Sequence, residues 1–134
     1  MTKKKRSITE TANMDEDPVL ITLQPEDPEF VNLNEAMKEI AETEGVDGYI
    51  IRNSSCATID FRDQDDVVQR ALLASEITDF CQAVTSLFKL GDAESVVVEG
   101  QQDKVLCAFV GDNRLDVFME KSVDHKQITE KILS

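Results

Sequence analysis

The last third of the chain holds three runs of strand-forming residues, "SVVVE", "KVLCAFV" and "RLDVFME", tied by the short links "GQQD" and "GDN". Links this short cannot carry a crossover, which takes roughly a dozen residues or more, so the three strands must lie side by side and antiparallel. The middle run is apolar on both alternating faces, which predicts that it is the most central of the three and covered on both sides. A sheet of this kind dictates the rest: its faces need lids, and the remaining sequence must supply them.

Earlier in the chain, "VDGYIIRN" and "CATIDF" flank Asn53, Ser54 and Ser55 and predict a further hairpin. In its second run Ala57, Ile59 and Phe61 alternate with Thr58 and Asp60, so one face should be buried and the other wetter. Three stretches carry the helical period instead. In "NLNEAMKEIAETEG", Asn32 is placed to cap with Glu35 three residues on; Leu33, Ala36, Met37, Ile40 and Ala41 share one face, and Gly45 is the stop. A long helix is expected from about Asp66 to Leu90, opened by the carboxylates of "DQDD" and ended by Gly91. "SVDHKQITEKIL" predicts a short last helix with Ile128, Ile132 and Leu133 inward. The fold class is therefore α+β in the order α-β-β-α-β-β-β-α, five antiparallel strands with helices on both faces.

A chain of 134 residues has room for one such domain. The expected organisation is a polar tail over 1–18, an extended proline-containing segment over 19–30, and the domain over 31–134. Charge narrows the function classes. Lys3, Lys4, Lys5 and Arg6 are four of only 14 cations set against 27 acids, for a net charge of −13. So acidic a body repels phosphate backbones, which argues against nucleic-acid binding. No apolar run approaches the roughly 20 residues that span a bilayer, so membrane insertion is not expected. Cys56, Cys81 and Cys107 are odd in number, far apart and set in apolar sequence, so they are expected as buried thiols in a reducing, cytoplasmic setting.

Catalytic chemistry has no foothold here. The single histidine, His125, sits on the short last helix, and no second histidine is available for a metal site. "GDAESVVVEG" has glycines but neither the lysine nor the spacing of a phosphate loop. Arg70 is expected as a helix-start residue paired with acids such as Asp66 rather than as an arginine finger. Catalytic, metal and cofactor residues are accordingly all expected to be none, and the protein is not expected to be an enzyme.

The stretch "ALLASEITDFCQAVTSLFKLG" carries the functional expectation. Residues placed at about 100° intervals along the helix fall into two arcs. Leu73, Ala74, Ile77, Phe80, Cys81, Val84, Leu87 and Phe88 form the arc expected to face the core. Val67, Ala71, Ser75, Thr78, Gln82, Thr85 and Ser86 form the other, small and uncharged with Asp79 and Lys89 nearer its margins, where a second polypeptide is expected to pack. The simplest second polypeptide is another copy about a two-fold axis.

On "GVDGYIIRN", the small-residue long helix ending in "LFKLGDAESVVVEG", the hairpin "KVLCAFVGDNRLDVFME" and the short last helix, the chain from about Leu33 to Leu133 resembles the roadblock family, the roadblock-type dynein light-chain domains. The first hairpin, with Asn53-Ser54-Ser55, departs from the family's usual Asp-Gly or Asn-Gly, and Val123-Asp124-His125 departs from its Asn-Leu-Gly-like start to the last helix. The resemblance implies the long helix on one sheet face and the two terminal helices on the other. It also implies a homodimer in which the long helices and Ser95, Val96, Val97, Val98 and Glu99 meet across the two-fold. Several members bind small Ras-like GTPases, as activators of hydrolysis or as scaffolds, so the resemblance implies a homodimeric adaptor or regulator of such a GTPase. The rival expectation is a small acidic secretion-type chaperone dimer that holds an extended client.

Overall fold

The computed structural model describes residues 27–133, so the expected tail over 1–18 lies outside the described residues. Helix α1 spans Pro28–Ala41 and begins where an extended segment was expected. Asp27 caps it by accepting from the Glu29 N–H at 3.2 Å, and Pro28 occupies the first turn, where a missing N–H costs nothing. Asn32, expected as the cap, is inside the helix. The earlier start adds Phe30 to the buried stripe of Leu33, Met37 and Ile40.

The other elements are β1 (Val46–Arg52), β2 (Ala57–Phe61), α2 (Val67–Leu87), β3 (Ser95–Glu99), β4 (Asp103–Val110), β5 (Asn113–Glu120) and α3 (His125–Leu133). The five strands form one antiparallel sheet in the order β2-β1-β5-β4-β3. β4 is the middle strand of the last three, as its two apolar faces required. The β1–β2 turn is closed by Asn53, whose side-chain oxygen accepts from the Ser55 and Cys56 N–H groups at 2.8 and 3.0 Å. An Asn side chain standing in for a backbone acceptor is how this turn forms without a glycine. Gly48 in β1 is needed for close approach: an added Cβ would meet the Phe61 ring and the Asp60 backbone.

The sheet is covered on both faces. On one, α1 and α3 bury Phe30, Met37, Ile40, Ile128 and Ile132 against Tyr49, Ile51, Leu106, Leu115, Val117 and Met119. Each such side chain contributes about 1.5–3 kcal/mol by leaving water. On the other, α2 lies over Ile50, Phe61, Val105, Cys107 and Phe118. Leu133, expected inward, is exposed at the end of α3. β2 buries only Phe61 and leaves Ile59 exposed, because it is an edge strand that α2 does not fully cover.

Both ends of α2 differ from expectation. Asp66 precedes the helix in the left-handed region at φ 63°, and no carboxylate caps the helix start. At the other end Leu90 N–H donates to Thr85 C=O at 2.8 Å and Lys89 N–H to Ser86 C=O at 3.2 Å. This is the paired closure of a Schellman motif, with Lys89 rather than Gly91 as the left-handed residue at φ 56°.

Candidate partner surface

The structure redraws the two arcs of α2, keeping Ala74 and Ile77 against the sheet as expected but exchanging most of the rest. Ala74 and Thr78 are its buried residues, and Val67, Ala71 and Ile77 pack beside them against the sheet. Val67, Ala71 and Thr78, expected to meet another polypeptide, are therefore occupied by the protein's own sheet. Ser75 and Thr85 are half-buried, and of the expected partner arc Gln82 and Ser86 are exposed, as are Asp79 and Lys89 at its margins. Conversely Phe80 is 72% exposed, Leu87 75% and Leu73 44%, although all three were expected in the core. Phe88, expected inward as well, is exposed; Cys81 and Val84 are half-buried. The physical reason lies in the sheet. Its α2-facing side carries Phe61, Phe118, Ile50 and the Arg52 side chain, and a helix can settle on such bulk only with alanine and threonine beneath it.

Polar groups are trapped under the helix. Arg52 Nη2 reaches Thr78 Oγ1 at 3.4 Å. Asp116 is fully buried at the centre of β5, and neither of its carboxyl oxygens has a well-formed hydrogen bond. Burial raises its pKa; the thiol of its cross-strand neighbour Cys107, with Arg52 and Arg114, opposes the rise only in part. The Cys107 thiol is pushed up as well, by burial first and by Asp116 beside it. It is an inert thiol, as its setting in β4 suggested. Cys56, expected to be buried, is exposed at the β1–β2 turn.

Arg70 is turned inward. Its guanidinium carbon stands 5.0 Å from the centre of the Phe61 ring and 5.8 Å from that of Phe118, which are themselves packed edge to face. It neither pairs with Asp66, to which only its backbone N–H donates, nor points outward as a finger would have to. His125 is engaged too: its Nδ1 lies 3.0 Å from Nζ of the buried Lys104.

Among the described residues, two surfaces besides the β2 edge have nothing packed on them. One is the outer side of α2. The other is the free edge of β3, the last strand of the sheet. The Phe109 N–H donates to Glu94 C=O at 3.0 Å, so alternation along an antiparallel ladder turns the N–H and C=O groups of Ser95, Val97 and Glu99 away from β4, toward solvent. Val98, 44% exposed, extends this edge with apolar surface. An open groove of about 930 Å³ adjoins the end of α2, lined by residues of both charge signs, among them Lys89, Arg114, Asp92 and Glu94.

A five-stranded antiparallel sheet in this order, with the long helix on one face and the two terminal helices on the other, is the roadblock fold, and this chain has it. Among solved structures it is similar to the Roadblock/LC7 domain of Streptomyces avermitilis (TM-score 0.62, 16% identity, 73% of this chain and 86% of that one). It is also similar to MglB of Myxococcus xanthus (TM-score 0.60, 13% identity, 77% and 93%) and to the gliding protein MglB of Thermus thermophilus (TM-score 0.59, 12% identity, 85% and 95%). No protein-family model and no curated protein matches the sequence. The likeness is therefore one of fold.

Proposed function

We propose that the protein is a homodimeric, non-enzymatic adaptor or regulator of a small Ras-like GTPase. The observation that carries this is the edge of β3. Three consecutive valines border a row of backbone groups that no described residue pairs, an arrangement that proteins normally cover or break with charge. A second copy covers it with the greatest overlap when the two-fold passes through Val97. Val96 then meets Val98 of the other copy, and Ser95 meets Glu99, so no like charges face each other. Pairing of this kind continues the sheet across two copies and brings both α2 helices onto one face of it, as the resemblance implies. The GTPase assignment leans on the resemblance to roadblock domains, several of which bind such proteins.

Val97→Pro is the sharpest test of the dimer. The Val97 N–H faces the free edge, so proline there removes no bond to β4 but blocks pairing with another copy. Sedimentation equilibrium should show a dimer at micromolar concentration for the natural chain and a monomer of unchanged circular dichroism for the variant. A monomeric natural chain, or a variant that stays dimeric, would remove the basis of the proposal. Nucleotide hydrolysis by a Ras-like GTPase, with and without the dimer, then separates a regulator from a scaffold.

A further inference from the structure

The sheet ends on its other side at β2, and there too bonding groups are turned outward. Asn53 N–H donates to Cys56 C=O at 2.9 Å and Arg62 N–H to Asp47 C=O at 3.0 Å. Alternation along the β1–β2 ladder therefore directs the N–H and C=O of Ala57 and Ile59, and the N–H of Phe61, away from β1. The Phe61 C=O accepts from Gln64 Nε2 at 2.7 Å, which closes the far end of this edge. Ile59, 48% exposed, stands on it beside the exposed Ala57. No described residue pairs with the edge. The one charge of β2, Asp60, lies on the face opposite Ile59, and the strand has no proline to blunt it.

The chain carries a run of matching length. Val19-Leu20-Ile21-Thr22-Leu23 is rich in strand-forming residues, and the described residues begin four positions after it. The first turn of α1 fixes where such a run enters. Glu29 Oε1 accepts from Asn113 Nδ2 at 3.1 Å, and Asn113 Oδ1 accepts from Asn53 Nδ2 at 3.0 Å, so α1 starts at the end of the sheet where β2 starts. At the other end the Ala41 C=O accepts from Arg62 Nη2 at 3.0 Å, just past β2. α1 thus runs in the direction of β2 and packs chiefly on β1, its neighbour. A segment that leads into α1 and lies beside β2 is therefore antiparallel to it. Asp27 is extended at φ −62° and ψ 125°, as Pro28 after it requires, and Pro25 biases Gln24 the same way. The link from Leu23 to Asp27 then reaches about 13 Å, close to the three strand spacings that separate β5 from a strand beyond β2.

We infer that Val19–Leu23 adds to the β2 edge as a sixth, antiparallel strand, with Ile21 opposite Ile59. Thr22 then meets Thr58, Leu23 meets Ala57 and Leu20 meets Asp60. In this register Val19, Ile21 and Leu23 extend the apolar side of the sheet on which Ile59 and Phe61 lie, and a slip of one residue would turn all three to the other side. The added strand leaves β3 as the one open edge. Pairing between copies through β3 then closes at two instead of continuing through β2. The inference concerns the opposite edge from the dimer proposal and stands apart from it.

Amide hydrogen exchange followed by NMR on the full chain reads the edge directly. The Ala57, Ile59 and Phe61 amides should exchange at least about tenfold more slowly in the natural chain than in Ile21→Pro, which removes the N–H aimed at Ile59. Thr58 and Asp60, whose N–H groups donate to β1, should be protected equally in both and so report an intact sheet. Edge amides that are unprotected in the natural chain, or that stay protected in Ile21→Pro, would overturn the inference. So would protection that vanishes in Val97→Pro, because it would belong to association through β3.

Register is read by cross-linking in a Cys56→Ser background. Leu20→Cys/Asp60→Cys sets two thiols on one face in a closely spaced cross-strand pair, within reach of a disulfide, whereas Ile21→Cys/Asp60→Cys sets them on opposite faces. Oxidised glutathione should close the first pair about tenfold faster than the second, within one chain. Equal rates would mean chance encounters of a segment with no fixed place, and would overturn the inference.

Discussion

Phe80 and Ala74 decide which side of α2 faces the sheet. Phe80 is 72% exposed, so roughly a quarter of its surface is covered by the rest of the chain. A phenylalanine buries about 200 Å² when enclosed, so Phe80 has about 55 Å² in contact, worth at most about 1.4 kcal/mol at 25 cal/mol per Å². Replacing it with glutamine should therefore cost the isolated chain no more than about 1.5 kcal/mol. Ala74 is 1% exposed beneath the helix, and leucine there forces extra methylenes into packed space at a cost of about 1–3 kcal/mol. Urea unfolding followed by circular dichroism gives both values, provided that it is repeated over a range of protein concentrations so that association through the outer side of α2 is seen as such. With Phe80 in the core as expected, Phe80→Gln would cost about 3–5 kcal/mol, more than Ala74→Leu. That inverted ranking would refute the placement of α2 described above.

Two further outcomes follow from single sites. Asp116 holds its proton more tightly in the folded chain than in the unfolded one, so its contribution to stability is complete below the ordinary carboxyl value of 3.8 and declines as pH rises through the raised folded value. Asp116→Asn should accordingly be more stable than the natural chain by about 1–3 kcal/mol near pH 7, with the difference shrinking toward about pH 4 in parallel urea titrations. An asparagine variant that is less stable near pH 7 would show instead that the carboxylate is satisfied by Arg52. At the end of α2, Lys89 stands in the left-handed region at φ 56°, where a side chain is strained. Lys89→Gly should raise the thermal midpoint by a few degrees, in line with about 1 kcal/mol, and an unchanged or lower midpoint in differential scanning calorimetry would count against the closure drawn there.

The sheet was legible in the sequence because its constraints are local. Links of two and three residues force β3, β4 and β5 into antiparallel neighbours, and the Asn53 turn closes on its own side chain. The helix ends were less legible. Asn32 with Glu35 has the right spacing for a cap, yet Asp27 before Pro28 supplies one earlier, and the burial of Phe30 rewards the longer helix. Asp63, Asp65 and Asp66 offered carboxylates for α2, but the chain enters that helix through a left-handed Asp66 whose side chain makes no capping bond. Periodicity could not have oriented α2, because it is apolar on nearly every side; only the bulk on the opposing sheet face distinguishes its sides.

That same ambiguity carries functional information. A helix with one covered side shows one apolar stripe, whereas a helix covered twice is apolar all round. α2 meets its own sheet largely through small residues, and this leaves Leu72, Phe80 and Leu87 mostly uncovered by the described chain. Keeping such side chains in water forgoes about 1.5–3 kcal/mol each. A chain with Ala74 and Thr78 buried and Phe80 exposed carries its larger α2 residues on the side turned away from its own sheet.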